Sequence, residues 1–188
     1  MFEKKYHVSA IGNAMLDVVC EVSDDFLAKE DILKGNMQLI SQERSMYLLN
    51  LIDPIKKTAG GSAANTVSTL SKLGLRASYI GKVANDKEGS LFHQDLISQN
   101  VNYKTKTLSS EKPLTTGKCI VMVTSDKERT MNTYLGATEL LDKEDIDTEI
   151  IQQSEWLYLE GYRFDGKESI EAFYKAIDIA KKYNTKIA

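Results

Sequence analysis

Short apolar runs alternate with helix-period segments along almost the whole of this chain, and that alternation limits the fold more than any other feature. Residues 7–12 (His-Val-Ser-Ala-Ile-Gly) read as a buried strand, 18–22 as a second extended piece and 36–40 as a short third. A helix is expected over 41–51, capped by Ser41, and a polar extended stretch over 56–59. In 62–73 the apolar residues Ala63, Val67, Leu70 and Leu73 recur at helical spacing, with Gly74 placed to stop the helix. Residues 77–83 read as a strand, and 86–100 as a helix turning Leu91, Phe92, Leu96 and Ile97 inward. The polar stretch 102–115 is long for a loop and is expected to hold a strand of its own.

Further on, 117–124 and 130–135 read as a hairpin around Ser125-Asp126-Lys127-Glu128. Residues 156–159 form a strand and 169–183 a helix with Ile170, Phe173 and Ile177 on its apolar face. Lys186-Ile187-Ala188 reads as a strand just beginning. A βα pattern continues to the next parallel strand, so the expectation is one α/β domain over 1–188, truncated on its C-terminal side.

Composition narrows the partners. The 24 basic and 27 acidic residues leave a net charge of −3, with the lysines scattered rather than gathered into a basic stripe, which argues against nucleic acid. No apolar run approaches a membrane span, and Met1-Phe2-Glu3-Lys4-Lys5 lacks the apolar core of a signal peptide. Cys20 and Cys119 form no ligand pair, and His7 and His93 have no ligand-spaced neighbours, so no metal site is expected and the cysteines read as buried thiols. A cytoplasmic protein is the expectation.

Two stretches carry chemistry. Ala59-Gly60-Gly61-Ser62-Ala63-Ala64-Asn65 lies at the mouth of a helix. Two glycines allow a ligand to approach the backbone, the helix start supplies free N–H groups, and Asn65 brings a donor and an acceptor. Gly12-Asn13-Ala14-Met15-Leu16-Asp17 lies just past the first strand, where ligands of open α/β sheets bind. There a carboxylate accepts hydrogen bonds from neighbouring sugar hydroxyls. Taken singly, the first also fits a glycine turn before a helix, and the second a turn aspartate bonded to its own backbone.

Together they resemble the ribokinase-like (PfkB) carbohydrate kinases, whose pattern continues with Gly81-Lys82-Val83-Ala84-Asn85-Asp86-Lys87-Glu88-Gly89. The likeness runs on from Pro113 to Ala137, through Thr116-Gly117-Lys118-Cys119-Ile120-Val121 and Arg129-Thr130-Met131-Asn132-Thr133-Tyr134-Leu135-Gly136-Ala137, and then through Trp156-Leu157-Tyr158-Leu159-Glu160-Gly161-Tyr162. The Arg-Thr-Met-Asn-Thr-Tyr-Leu-Gly-Ala and Leu-Glu-Gly-Tyr stretches look most like the bacterial adenosine-kinase-like branch. Val67 and Ala84 depart from the small residue and the glycine that the family prefers at those positions.

The resemblance implies an open sheet with helices on both faces plus a small β-sheet lid, built near 18–22, 36–40, 56–59 and 118–134. It implies transfer of the γ-phosphoryl group of ATP, with Mg²⁺, to a hydroxymethyl group on adenosine or a ribose-type sugar. Carried over by position, Asn13, Asp17, Gly60, Gly61, Asn65 and Asn132 bind the acceptor, and Arg129 is a candidate phosphate contact. The family's catalytic base sits in a Gly-Ala-Gly-Asp string that this chain lacks, its Mg²⁺-associated Asn-x-x-Glu motif is likewise expected to be absent from this chain, and the ATP pocket is expected in the missing C-terminal part. No catalytic residue is therefore assigned, and the chain alone is expected to be inactive. The alternative is a non-catalytic sugar- or nucleoside-binding or regulatory module. A homodimer through the lid is compatible with either. A dinucleotide-binding enzyme is disfavoured because no second glycine follows Gly12 at the required offset. A P-loop is disfavoured because Gly81-Lys82 and Gly117-Lys118 lack both the first glycine and the closing Ser or Thr.

Overall fold

A computed structural model describes residues 4–109, 114–164 and 166–188. Pro113, where the family likeness of the lid stretch begins, lies outside the described residues. The strands are β1 (Tyr6–Ile11), β2 (Met15–Glu21), β3 (Met37–Leu39), β4 (Lys56–Gly60), β5 (Ala77–Ile80), β6 (Val101–Tyr103), β7 (Gly117–Val123), β8 (Arg129–Tyr134), β9 (Ser154–Leu159) and β10 (Lys186–Ile187). The helices are α1 (Asp24–Lys29), α2 (Gln42–Leu49), α3 (Ser62–Lys72), α4 (Lys87–Ser98), α5 (Thr148–Gln152) and α6 (Lys167–Lys182).

One five-stranded sheet runs β10-β9-β1-β5-β6 with every neighbouring pair parallel. Side chains alternate across such a sheet, so consecutive residues feed two different cores. Val8, Ala10 and Tyr79 meet Val67 of α3 and Phe92 and Leu96 of α4. Ile11, Ile80 and Leu157 turn the other way, against Ile151 of α5 and Phe173 and Ala176 of α6. Helices thus cover both faces, the arrangement the family resemblance implies. An aromatic cluster fills the α4 side, with Phe92 edge-on to Tyr103 at 5.4 Å between centroids.

A second five-stranded sheet runs β3-β8-β7-β2-β4 and mixes directions: β2 is parallel to β7 and antiparallel to β4, and β7 and β8 form a hairpin. All four segments expected to build a small sheet lie in it. Its outer face, with Cys20, Ile120 and Met122, packs beneath Leu27 of α1 and Leu48 of α2. Its inner face carries Met15, Cys119 and Val121, flanked by Met131 and Leu135. The chain passes from the first sheet to the second at residues 12–14 and returns at Gly60-Gly61, and these two crossings sit side by side.

Element ends follow capping chemistry. Ser41 Oγ accepts from Arg44 N (3.1 Å) and Asp86 Oδ1 from Gly89 N (2.7 Å), so the two expected helices begin one residue after their caps. Gly74 takes φ +88° after α3, the left-handed stop that a glycine supplies. The strand expected over 77–83 leaves the sheet after Ile80: Gly81 N turns to Thr105 Oγ1 (3.3 Å) and Lys82 Nζ pairs with Asp145. The strand expected within 102–115 starts one residue earlier, as β6, and Leu108 makes a further bridge to Ala84. The short helices α1 and α5 have no sequence period of their own; Ser23 and Asp147 cap them. Among the described residues no helix is long and apolar enough to cross a membrane.

Candidate active-site cleft

Between the inner face of the mixed sheet and the carboxyl end of the parallel sheet lies a cleft of about 380 Å³. Asn13, Asp17, Gly61, Ser62, Asn65, Arg129, Glu160 and Tyr162 line it, with an apolar wall of Met15, Met37, Leu39, Cys119, Met131 and Leu135. The wall follows from strand alternation. Residues 15 and 17 of β2, 119 of β7, 131 and 133 of β8, and 37 and 39 of β3 all point inward in register.

Asp17 stands between Cys119 on β7 and Thr58 on β4. Among the described residues its carboxylate accepts no hydrogen bond. Burial holds this carboxyl above its ordinary value of 3.8, and the nearby Arg129 guanidinium pulls it back down. A half-buried carboxylate without protein donors, facing the cleft, has its acceptor sites open to a ligand that brings hydroxyl donors.

Gly60 ends β4 directly against Asp17; a Cβ there would fall on the carboxylate. Gly61 is the N-cap of α3 at φ +98°, and a Cβ there would fall on the Asn13 carbonyl. Both glycines are demanded by close packing of the two crossings, and only Gly61 lines the cleft. Asn65 is in the first turn of α3, exposed, its N–H bonded to Gly61 O (2.9 Å), which leaves its side chain free toward the cleft. Asn13 is buried and held by its backbone: Tyr79 Oη donates to its carbonyl (2.8 Å), and Thr138 Oγ1 reaches its Oδ1 (3.4 Å). Burial, with Glu160 and Tyr103 nearby, keeps the Tyr79 hydroxyl firmly protonated and so a donor.

Asn132 does not line the cleft. It points to the outer face of β8, fully buried, where its Oδ1 accepts from Gln38 Nε2 (2.5 Å) and its Nδ2 lies 3.6 Å from Met122 Sδ. Arg129, Met131 and Thr133 share the opposite parity, so a strand that gives Arg129 to the cleft withholds Asn132. Arg129 is exposed at the start of β8, on the cleft side. Cys119 forms part of the wall, and burial pushes its thiol up to about 11 despite the hydrogen bond from Thr133 Oγ1 (3.4 Å).

The sequence reading missed Ser62, Tyr162 and the apolar wall of the cleft, and above all Glu160. Glu160, 3% exposed, follows β9 and accepts from the backbone N–H groups of Asn13 (2.5 Å) and Ser62 (3.2 Å) and from Ser62 Oγ. A carboxylate just beyond the end of a parallel strand was the available signal. An Asn-x-x-Glu spacing does occur in this chain, at Asn85 to Glu88, contrary to the expectation that the chain lacks it. The fold uses that turn for capping instead, since Asp86 caps α4 and accepts from Thr116 N (2.7 Å) and Thr116 Oγ1 (2.6 Å). Among the described residues no three His, Cys, Asp or Glu side chains converge as a cation site. The acidic groups of the cleft are Asp17 and Glu160, and Glu160 is already committed to Asn13 and Ser62. The residues present therefore do not fit a Mg²⁺ ion.

Comparison with known proteins agrees with this architecture. The chain is 32% identical over 160 residues to a 5-dehydro-2-deoxygluconokinase of Halalkalibacterium halodurans, a match covering 79% of this chain and 48% of the relative. Among solved structures, an adenosine kinase from Sinorhizobium meliloti superposes with a TM-score of 0.89 at 38% identity, over 97% of this chain and 55% of that one. A probable sugar kinase protein from Rhizobium etli gives 0.90 at 34% identity, over 98% and 55%. The chain thus spans about half the length of the relatives it matches. Residues 9–187 match the description of the pfkB family carbohydrate kinases, and the chain belongs to that family.

Proposed function

We propose that this chain forms the acceptor-binding part of an ATP-dependent sugar or nucleoside kinase, and that its acceptor is a nucleoside such as adenosine. The observation that carries the reading is Asp17: a half-buried carboxylate without protein donors, at the rim of a wall of thioether and aliphatic side chains. Asp17 accepts from ribose-type hydroxyls while Asn65, on the first turn of α3, supplies a donor and an acceptor. Met15, Met37, Met131, Cys119 and Leu135 offer polarizable apolar surface to a flat ring, which a free sugar would leave unused. The mixed sheet acts as a lid over the cleft and shields the acceptor from water, and Arg129 at its rim steadies phosphate charge. ATP and Mg²⁺ belong to the family reaction, and no step here runs through a group of this chain holding the metal.

Calorimetric titration of the 188-residue chain with adenosine, ribose and fructose tests the reading. Adenosine is expected to bind tightest, with no ATP-dependent phosphorylation of it by this chain. Tighter binding of ribose or fructose refutes the nucleoside assignment. No binding of any of the three refutes the acceptor site. Phosphoryl transfer by the purified chain refutes its inactivity, whereas binding without transfer by every longer form of the protein favours the non-catalytic binding module.

A further inference from the structure

The two crossings that carry the cleft residues have no cap of their own. Helix α3 begins at Gly61, which has no side chain to satisfy the first N–H groups of the helix. The β1–β2 crossing leaves the N–H of Asn13 pointing into the protein. One carboxylate answers both. Glu160 Oε2 accepts from Asn13 N, and Oε1 accepts from Ser62 N and Ser62 Oγ. The donors lie 147 and 98 residues away in sequence, yet they meet on a side chain that is 3% exposed. Gly12 leaves room for it, since a Cβ there would fall on Glu160 Oε2. The opposite side of the Asn13 peptide is held by the Tyr79 hydroxyl.

We propose that Glu160 is a positioning residue for the acceptor site: an in-trans cap of α3 that locks the Asn13–Asp17 crossing to the Gly61–Asn65 turn. The proposal rests on the acceptor-site reading above for its functional part. Oε1 accepts two protein donors and Oε2 one, so most of the carboxylate's acceptor capacity is spent on the residues it holds. Its position just after β9 also fixes where Tyr162 enters the cleft wall.

The donor set makes a sharp chemical demand. All three partners are donors, and two of them are backbone N–H groups that cannot reverse. In Glu160→Gln, whichever way the amide is turned, its NH₂ faces either the Asn13 N–H or the Ser62 N–H. An isosteric change therefore places donor against donor. If Glu160 instead touched an acceptor hydroxyl, that hydroxyl would rotate and accept from Gln, and the substitution would be tolerated.

The test pairs calorimetric titration of adenosine with amide hydrogen exchange followed by NMR, on the 188-residue chain and its E160Q and D17A variants. In the unsubstituted chain the Asn13 and Ser62 amides should be protected. In E160Q both should lose protection while Tyr79 within β5 keeps its own, and adenosine affinity should fall about tenfold or more. D17A should lose affinity but keep both amides protected, which separates a group that touches the ligand from one that holds the site. A residue that only props up the fold would lower protection broadly instead of at these two amides. Unchanged exchange at Asn13 and Ser62 in E160Q, or adenosine affinity equal to the unsubstituted chain, overturns the proposal. If the unsubstituted chain binds no adenosine, the acceptor reading fails and the exchange data alone decide the clamp. If E160Q does not fold, G12A is read in its place: a Cβ at residue 12 falls on Glu160 Oε2, so amide 13 should exchange faster, and wild-type exchange there counts against the clamp.

Discussion

Substituting Asp17 by Asn should separate stability from binding, and the two should move in opposite directions. The carboxyl is held above 3.8 in the folded chain, first by burial, with Arg129 opposing. A folded-state value above the unfolded one means that the native chain binds the proton more tightly. Unfolding stability therefore declines as pH rises from 3.8 through the folded value, and stays lowered above it. Asn does not titrate. The stability of D17N relative to the parent should accordingly increase across that interval and then level off. Binding should show the reverse. Two ligand hydroxyls on an ionised carboxylate contribute roughly 1.5–3 kcal/mol each, against about 1 kcal/mol for a neutral acceptor. D17N should weaken adenosine by about tenfold or more and D17A by about a hundredfold to ten-thousandfold. Urea denaturation at several pH values, with calorimetric titration beside it, reads both. A parent chain that gains stability over D17N with rising pH would refute the electrostatic argument. Adenosine affinity unchanged in D17A would refute the ligand assignment.

The cap and clamp at Asp86 should respond to acid in the opposite sense: burial raises its carboxyl, but bonds from Thr116 and Gly89 outweigh it and hold the carboxyl below 3.8. Its contribution is complete above 3.8 and disappears as pH falls through the lower folded value, and D86A should lose about 2 kcal/mol in urea denaturation at neutral pH. Gly61→Ala forces a side chain into φ +98° and onto the Asn13 carbonyl, so a loss of about 2 kcal/mol or more is expected, together with weakened adenosine binding. Cys20 and Cys119 are both buried with thiols pushed up to about 11, so neither should react with a thiol-specific disulfide reagent at pH 8 until denaturant is added.

The chain's order of apolar runs was enough for an α/β domain with a parallel sheet, because period and turn chemistry are local, whereas the helices on both faces and the second sheet came from the family resemblance. Ser41 announced its helix through capping, and the glycine pair with Asp17 marked the cleft. Alternation along β8 was equally legible, and it sets Asn132 apart from Arg129 once the strand is taken as a strand. The short helices α1 and α5 were not legible, since five or six residues carry no period.

Glu160 marks the limit. Nothing beside it in sequence reveals which donors it serves, because they come from the end of β1 and the start of α3. The same holds for the cleft wall, where residues from β2, β3, β7 and β8 converge only after parallel and antiparallel pairing has set their register. Local chemistry thus determined the elements and the family-like motifs. The spatial pairing of distant strands decided which carboxylate faces the cleft without protein donors and which one accepts from Asn13 and Ser62, because hydrogen-bond partners are chosen by proximity in the fold and not along the chain.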